Sequence, residues 1–207
     1  MTDVKLLGLP PSSYMRTAMM VLENKGVPYS VETVDFRAPE FERHHPFSKV
    51  PVLRHGNVEL FETLAIATYI DEAFDGPALQ PENPANKAVM LQWISATNDY
   101  FYESFVRNCV TERFVKPMRG LEPDEALIAA EKPTMAKHLD ILERVLVSND
   151  YLAGSEVSLA DFFLAPIMFY FAMTPEGKDL LPKHPAVQAW DERMAETKNY
   201  DQINSVG

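Results

Sequence analysis

The stretch Lys49-Val50-Pro51-Val52-Leu53, with Glu62-Thr63 shortly after it, decides how the first half of this chain folds. Proline has no N–H to give to a ladder, so Pro51 cannot sit inside a central strand and belongs at a strand's first residue. A cis bond there would turn Val50 outward, its backbone N–H and C=O free to meet an extended ligand. Val52-Leu53 and Val58-Glu59-Leu60 flank the polar run Arg54-His55-Gly56-Asn57, which predicts a hairpin with a three-to-five-residue loop. Leu64, Ala65, Ile66, Tyr69 and Ile70 follow at helical spacing. Glu62 and Thr63 thus stand at a helix start, where they can cap it or hold a ligand beside free N–H groups and the positive dipole end. A molecule with both an ammonium and a carboxylate suits this place, Glu62 taking the cation and Thr63 with the helix N-terminus the anion.

Upstream, Val4-Lys5-Leu6-Leu7 reads as a strand ended by Gly8, and Ser13 to Lys25 as a helix stopped by Gly26. Its apolar stripe is Met15, Ala18, Met19 and Leu22. Tyr29 to Val34 alternates as a second strand, parallel to the first because a helix connects them. A short polar helix or loop then leads through His44-His45-Pro46 to the hairpin.

This arrangement resembles the thioredoxin-like domain of the glutathione S-transferases. The resemblance implies that Val50, ahead of Pro51, pairs with the cysteinyl backbone of glutathione, and that Glu62 and Thr63 hold its γ-glutamyl end. It also gives a meaning to Gly8, Pro10, Ser12 and Arg16, which match the register of the serine-type, phi-like motif; the style is that of bacterial or fungal members. Ser12 becomes the expected catalytic residue, with Ser13 next and Tyr14 third. The plain alternative is that Ser12 and Ser13 only cap the first helix. Arg16 is expected to pair with an acid such as Glu62 or to brace the loop. Lys49 stands where the family often reaches the glycyl carboxylate. Asp35-Phe36-Arg37 lacks the usual phi-class histidine, leaving Arg37 as a substitute. Asp99 lies where family members can place an acid toward a partner subunit's glutathione.

The bulk numbers bear on several function classes. Of 207 residues, 46% are apolar and 24% charged, ordinary for a soluble globular protein. A net charge of −11 argues against nucleic-acid or anionic-membrane partners, which need basic patches. A single cysteine, Cys109, forbids an internal disulfide, fits a reducing compartment and reads as a small buried hydrophobe. No signal-peptide pattern opens the chain, and the longest apolar run, Leu159 to Met173, is broken by Asp161 and Pro166. A cytoplasmic location is the default. His44 and His45 read as two solvent-exposed residues, without further metal ligands at usual spacing.

Gly76, Pro77, Pro81 and Pro84 mark a linker over residues 76–86. It separates a glutathione-binding domain, 1–75, from an all-helical domain, 87–207, that is expected to contribute the electrophile pocket. In the second half one long helix is predicted from Lys87 to about Val115, then Pro123–Val147 with a kink or break at Pro133, Ser158–Met173 and Pro185–Thr197. Ser158-Leu159-Ala160-Asp161 has capping-box spacing, with Val157 as staple, so Asp161 is expected to serve folding.

The fold class implied is an α/β thioredoxin-like domain followed by an all-α domain. The function implied is conjugation of the glutathione thiolate to small hydrophobic electrophiles, as a cytosolic homodimer using glutathione as co-substrate and no tightly bound cofactor or metal. Leu9, Pro11, Met15, Phe105, Phe114 and Met118 are candidates for the electrophile wall, each equally readable as core. A non-catalytic glutathione-binding regulator, or a glutathione-dependent peroxidase, isomerase or dehalogenase, would fit the same fold.

Overall fold

The computed structural model describes residues 3–204. They divide into two compact units, residues 3–80 with 196–204, and residues 81–195. The division falls inside the proline-rich segment. The final residues, assigned from sequence to the helical domain, return to the first unit.

The first unit is a mixed sheet in the order β2-β1-β3-β4: β1 Val4–Gly8, β2 Tyr29–Thr33, β3 Val52–His55 and β4 Val58–Phe61. β1 and β2 are parallel, as their helical connection requires; β3 and β4 run antiparallel to their neighbours. The hairpin loop is tighter than expected. His55 pairs with Val58, leaving only Gly56 and Asn57 in the turn, with Gly56 at φ +58°. The polar residues extend the ladder because Arg54 and Glu59 face each other across it as an ion pair, with His44 bonded to both.

α1, Ser13–Lys25, ends at Gly26 in the left-handed conformation, as its sequence predicts. The predicted stripe is buried, and so are Arg16, Thr17, Met20 and Val21, since α2 (Thr63–Ala73) packs along the helix and the closing segment returns to it. At its far end Lys25 Nζ forms a buried ion pair with Asp71 at 3.1 Å and donates to the Pro77 carbonyl. Asp71 also accepts the Leu79 N–H at 2.9 Å, so one carboxylate pins the start of the linker to α2.

In the second unit the expected long helix is present, with a different winding. α3, Pro84–Ala96, is capped by Asn83, whose Oδ1 accepts the Ala85 and Asn86 N–H groups. The rod continues as a π-type segment, Thr97–Val115, and a last turn, α4, Lys116–Met118. Lys116 N–H reaches back to the Thr111 carbonyl, five residues earlier, and Thr97, Phe101, Phe105 and Cys109 are buried at intervals of four. α5, Glu125–Leu146, passes through Pro133 unbroken. Both Pro133 and Ala129, whose carbonyl loses its partner, lie on the exposed face, where water can replace the missing bond. Ile128, Met135, Leu139, Leu142 and Leu146 anchor the opposite face.

α6, Leu159–Met173, buries an unbroken run from Leu159 to Met168 and begins with the predicted capping box. Two short elements escaped the sequence reading, α7 (Pro175–Leu180) ahead of α8 (Pro185–Ala195) and, in the first unit, α9 (Tyr200–Asn204). Among the described residues no helix is long and apolar enough to cross a membrane. Cys109 is buried, as expected, and burial pushes its thiol up to about 12.

Asp161 does more than cap. Its carboxylate accepts the Ser158 N–H and hydroxyl, the Leu152 N–H and the Trp190 indole N–H, each at 2.9 Å. Replacing it leaves buried donors on three segments without a partner. Asp161→Ala is therefore expected to cost about 3 kcal/mol or more, beyond the 0.5–2 typical of a cap, read as a lowered urea midpoint.

Candidate active site

Leu7 on β1, Val52 on β3 and Phe61 on β4 pair in one row across the sheet, with Glu32 on β2 at its far side. Just beyond this row the chain leaves the sheet four times. Gly8 to Ser12 follows β1, Asp35 to Arg37 follows β2, Lys49 to Pro51 precedes β3, and Glu62-Thr63 follows β4. Every first-unit residue singled out for binding therefore emerges from one end of the sheet, the carboxyl end of β1, where ligands of α/β sheets gather.

The Val50–Pro51 bond is cis, and strand pairing starts only at Val52, so Val50 stands outside the ladder. Its side chain packs on Leu7, Phe41 and Val52. A Cβ on Gly8 would lie 2.9 Å from Met15 Sδ and 3.3 Å from Val50 Cβ. A side chain here would have to displace Met15 and press on Val50, so glycine suits the close approach of the end of β1, the first turn of α1 and the Val50 loop.

Ser12 occupies the N-cap position of α1 with extended backbone, φ −68° and ψ 128°, its N–H bonded to Leu9 O and its carbonyl accepting from Arg16 N. Its half-exposed hydroxyl does not cap the helix, which removes the plain alternative. Ser13 is buried in the first turn and Tyr14 is half-buried. Arg16, 1% exposed, donates to the Pro10 carbonyl and to Asn204 Oδ1, both at 3.3 Å. It braces the loop that carries Ser12, the second of its two expected roles.

Glu62 repeats the pattern at α2. Its carbonyl accepts the Ile66 N–H, its side chain is exposed and does not cap, and its φ of +68° is unusual for a residue with a side chain. Such strain persists where surrounding structure enforces it, often at ligand sites. Thr63 follows, buried in the first helical turn. Two N-cap residues at one end of the sheet thus keep their polar groups off their own helices.

Sequence reasoning missed His45. It is 2% exposed, not solvent-facing, with its ring 5.0 Å from that of Phe61 and its Nδ1 accepting the Phe47 N–H at 3.3 Å. Burial pushes its imidazole below the usual range; Glu62 opposes that shift and Lys49 reinforces it. His44 is half-buried between Arg43, Arg54 and Glu59, so neither histidine matches the exposed pair expected. At exposed Glu59 desolvation works the other way, but Arg54 and His44 hold its carboxyl below the usual range. Among the described residues no cluster of His, Cys, Asp and Glu is suited to a metal ion.

Lys49 and Arg37 are exposed, the latter's guanidinium 5.5 Å from the Phe36 ring centroid. Leu9 is half-buried and Pro11 exposed on the Ser12 loop, whereas Met15 is fully buried beneath it. The remaining candidates belong to the second unit. Asp99 is exposed and accepts the Ser95 hydroxyl at 3.1 Å; Phe105 is buried, 4.5 Å from the Phe171 ring; Phe114 is half-buried and Met118 is 86% exposed.

Residues 2–72 match the model of the glutathione S-transferase N-terminal domain, and residues 87–198 that of the C-terminal domain. A protein of Oryza sativa subsp. japonica named probable glutathione S-transferase GSTF1 is 32% identical over 203 residues, covering 94% of this chain and 92% of its own. Glutathione S-transferase 3 of Zea mays is 31% identical over 202 residues, 94% of this chain and 90% of its own. Among solved structures, glutathione S-transferase III in apo form superposes with a TM-score of 0.89 at 31% identity, covering 99% of this chain and 96% of that one. A theta-class glutathione S-transferase from Xanthomonas axonopodis pv. citri, solved with glutathione bound, gives 0.89 at 26% identity over 100% and 99% of the two chains. Both halves of the sequence, the mixed sheet and the uncapped residues at its end lead to one conclusion: this chain belongs to the glutathione S-transferase family.

Proposed function

We propose that this protein conjugates glutathione to small hydrophobic electrophiles as a serine-type, phi-like transferase. The observation that carries this reading is that Ser12 and Glu62 both stand at helix N-caps and neither side chain caps its own helix. Ser12 then has a hydroxyl to give to the glutathione sulfur, and Glu62 a carboxylate for the γ-glutamyl ammonium. Val50 offers its backbone to the cysteinyl residue, Thr63 and the start of α2 take the γ-glutamyl carboxylate, and Lys49 with Arg37 serves the glycyl end. Plant relatives such as the rice GSTF1 protein support the phi-like label, and the Xanthomonas neighbour is the support for a bacterial style.

The chemistry follows from charge. A free thiol of pKa about 8.5 is mostly protonated at neutral pH, and only the thiolate attacks well. A hydroxyl donated to sulfur at the N-terminus of α1 favours the anion, and each unit of lowering requires about 1.36 kcal/mol. One charge-assisted hydrogen bond supplies about that much. The thiolate then attacks the electrophilic carbon, and the leaving group departs with its electron pair. Leu9 and Pro11, on the Ser12 loop, are the proposed first-unit contacts for that substrate, and Asp99 a proposed contact to a partner's glutathione. The working form is proposed to be a cytoplasmic homodimer with glutathione as co-substrate.

Three measurements test this. Titrating glutathione into the protein while following thiolate absorbance in the ultraviolet should show a bound thiol ionising well below its free pKa; binding without that shift would make the protein a carrier. Ser12→Ala should lower turnover by about 10- to 100-fold and leave glutathione affinity nearly intact, matching a charge-assisted bond of about 1.5–3 kcal/mol. Glu62→Ala should instead weaken glutathione binding by about 10-fold or more in calorimetry, and an unchanged affinity would remove Glu62 from the site.

A further inference from the structure

His45 lies between the two arms of the proposed glutathione cradle and bonds to one of them. We propose that His45 is a positioning residue whose neutral imidazole holds the Lys49–Val50 arm in register with the Glu62–Thr63 arm. The inference rests on the glutathione reading above and extends it to a residue that touches neither sulfur nor electrophile.

The geometry is local and specific. The His45 carbonyl accepts the Ser48 N–H at 2.9 Å, closing a turn over Pro46 and Phe47. The ring of the same residue accepts the Phe47 N–H on Nδ1 at 3.3 Å, so the turn is fastened from backbone and side chain together. Ser48 leaves that turn at φ +49°, and Lys49, Val50 and the cis Pro51 follow at once. On its other side the ring meets Phe61, the residue before Glu62. The charged groups acting on the imidazole are Glu62, from the start of α2, and Lys49, from its own loop. One buried ring thus touches the segment that presents Lys49 and Val50 and the segment that presents Glu62.

This role requires a particular protonation state. A backbone N–H can only donate, so Nδ1 must accept, and the single proton of the neutral ring sits on Nε2. Protonating Nδ1 sets donor against donor and opens the turn from its side-chain end. Burial keeps the ring neutral through pH 7, since it depresses the imidazole below its ordinary range. The cradle is therefore whole at neutral pH and fails as the pH falls below that range. A histidine with a depressed folded pKa lowers fold stability in the same direction, so affinity must be separated from unfolding.

The test uses S-methylglutathione, which has no thiol to titrate and whose carboxylates and ammonium keep their charges between about pH 5.5 and 7. Calorimetry on the intact protein should show its dissociation constant rising as the pH is lowered across that range, as the competent fraction shrinks. His45→Asn restores an acceptor for the N–H two residues on, as asparagine does in Asx turns, and cannot titrate. It should bind with less than about a threefold loss at pH 7 and show no pH dependence over the range. His45→Ala should raise KM for glutathione by about tenfold and change kcat by less than about twofold, because the ring touches no reacting atom. Circular dichroism confirms that each variant is folded at the pH used. A His45→Ala protein with wild-type KM, or a His45→Asn protein that keeps the wild-type pH slope, would overturn the proposal. If the wild type binds no S-methylglutathione at either pH, the glutathione reading itself falls.

Discussion

The row Leu7–Val52–Phe61 is the constraint on which the candidate site depends. A ladder has a fixed register, so pairing these residues aligns the ends of their strands, and the loops leaving those ends must meet. Shifting β3 by one residue would turn its apolar set to the wrong face and move Val50 relative to Gly8. Such a slip is opposed at both ends of the hairpin. Leu7, Phe41 and Val52 form one small core, and the Arg54–Glu59 ion pair locks the other end of the hairpin. The site takes its register from the sheet, while the side chains of Ser12 and Glu62 stay off their own helices.

Other buried polar groups hold structure. Lys25 and Asp71 satisfy each other and the carbonyl and N–H groups at the start of the linker; breaking either side would strand a buried charge. Arg16 spans from the Pro10 carbonyl to Asn204, which ties the Ser12 loop to the closing segment. In the helical unit Asp161 gathers donors from three segments, and Arg113 bridges Glu176 and Glu125. Against this background the side chains of Ser12 and Glu62 are conspicuous, since both occupy capping positions and cap nothing.

The contrast separates two uses of one local pattern. Ser158, Asn83 and Asp124 also precede helices, and their side chains accept from their own first turns. A hydroxyl or short polar side chain ahead of a helix does not by itself distinguish Ser12 from these. The difference lies in its surroundings, where Gly8 admits the close approach of Met15 and Val50, and Arg16 braces the turn through the Pro10 carbonyl.

The sequence by itself determined the βαβ order, the bounds of α1, the position of Pro51 at the mouth of a strand and the Asp161 cap. These depend on periodicity, glycine and proline stereochemistry and contacts a few residues apart. It also pointed to Ser12, Val50, Glu62 and Thr63, because their spacing is a local signature. Tertiary structure alone decided the rest. The π-type winding of Thr97–Val115 and the unbroken passage through Pro133 depend on which faces are buried. The burial of His45 depends on Phe61, sixteen positions away, which no window along the chain can join to it. Local chemistry chose the elements, and the register of one small sheet decided which residues would share an end.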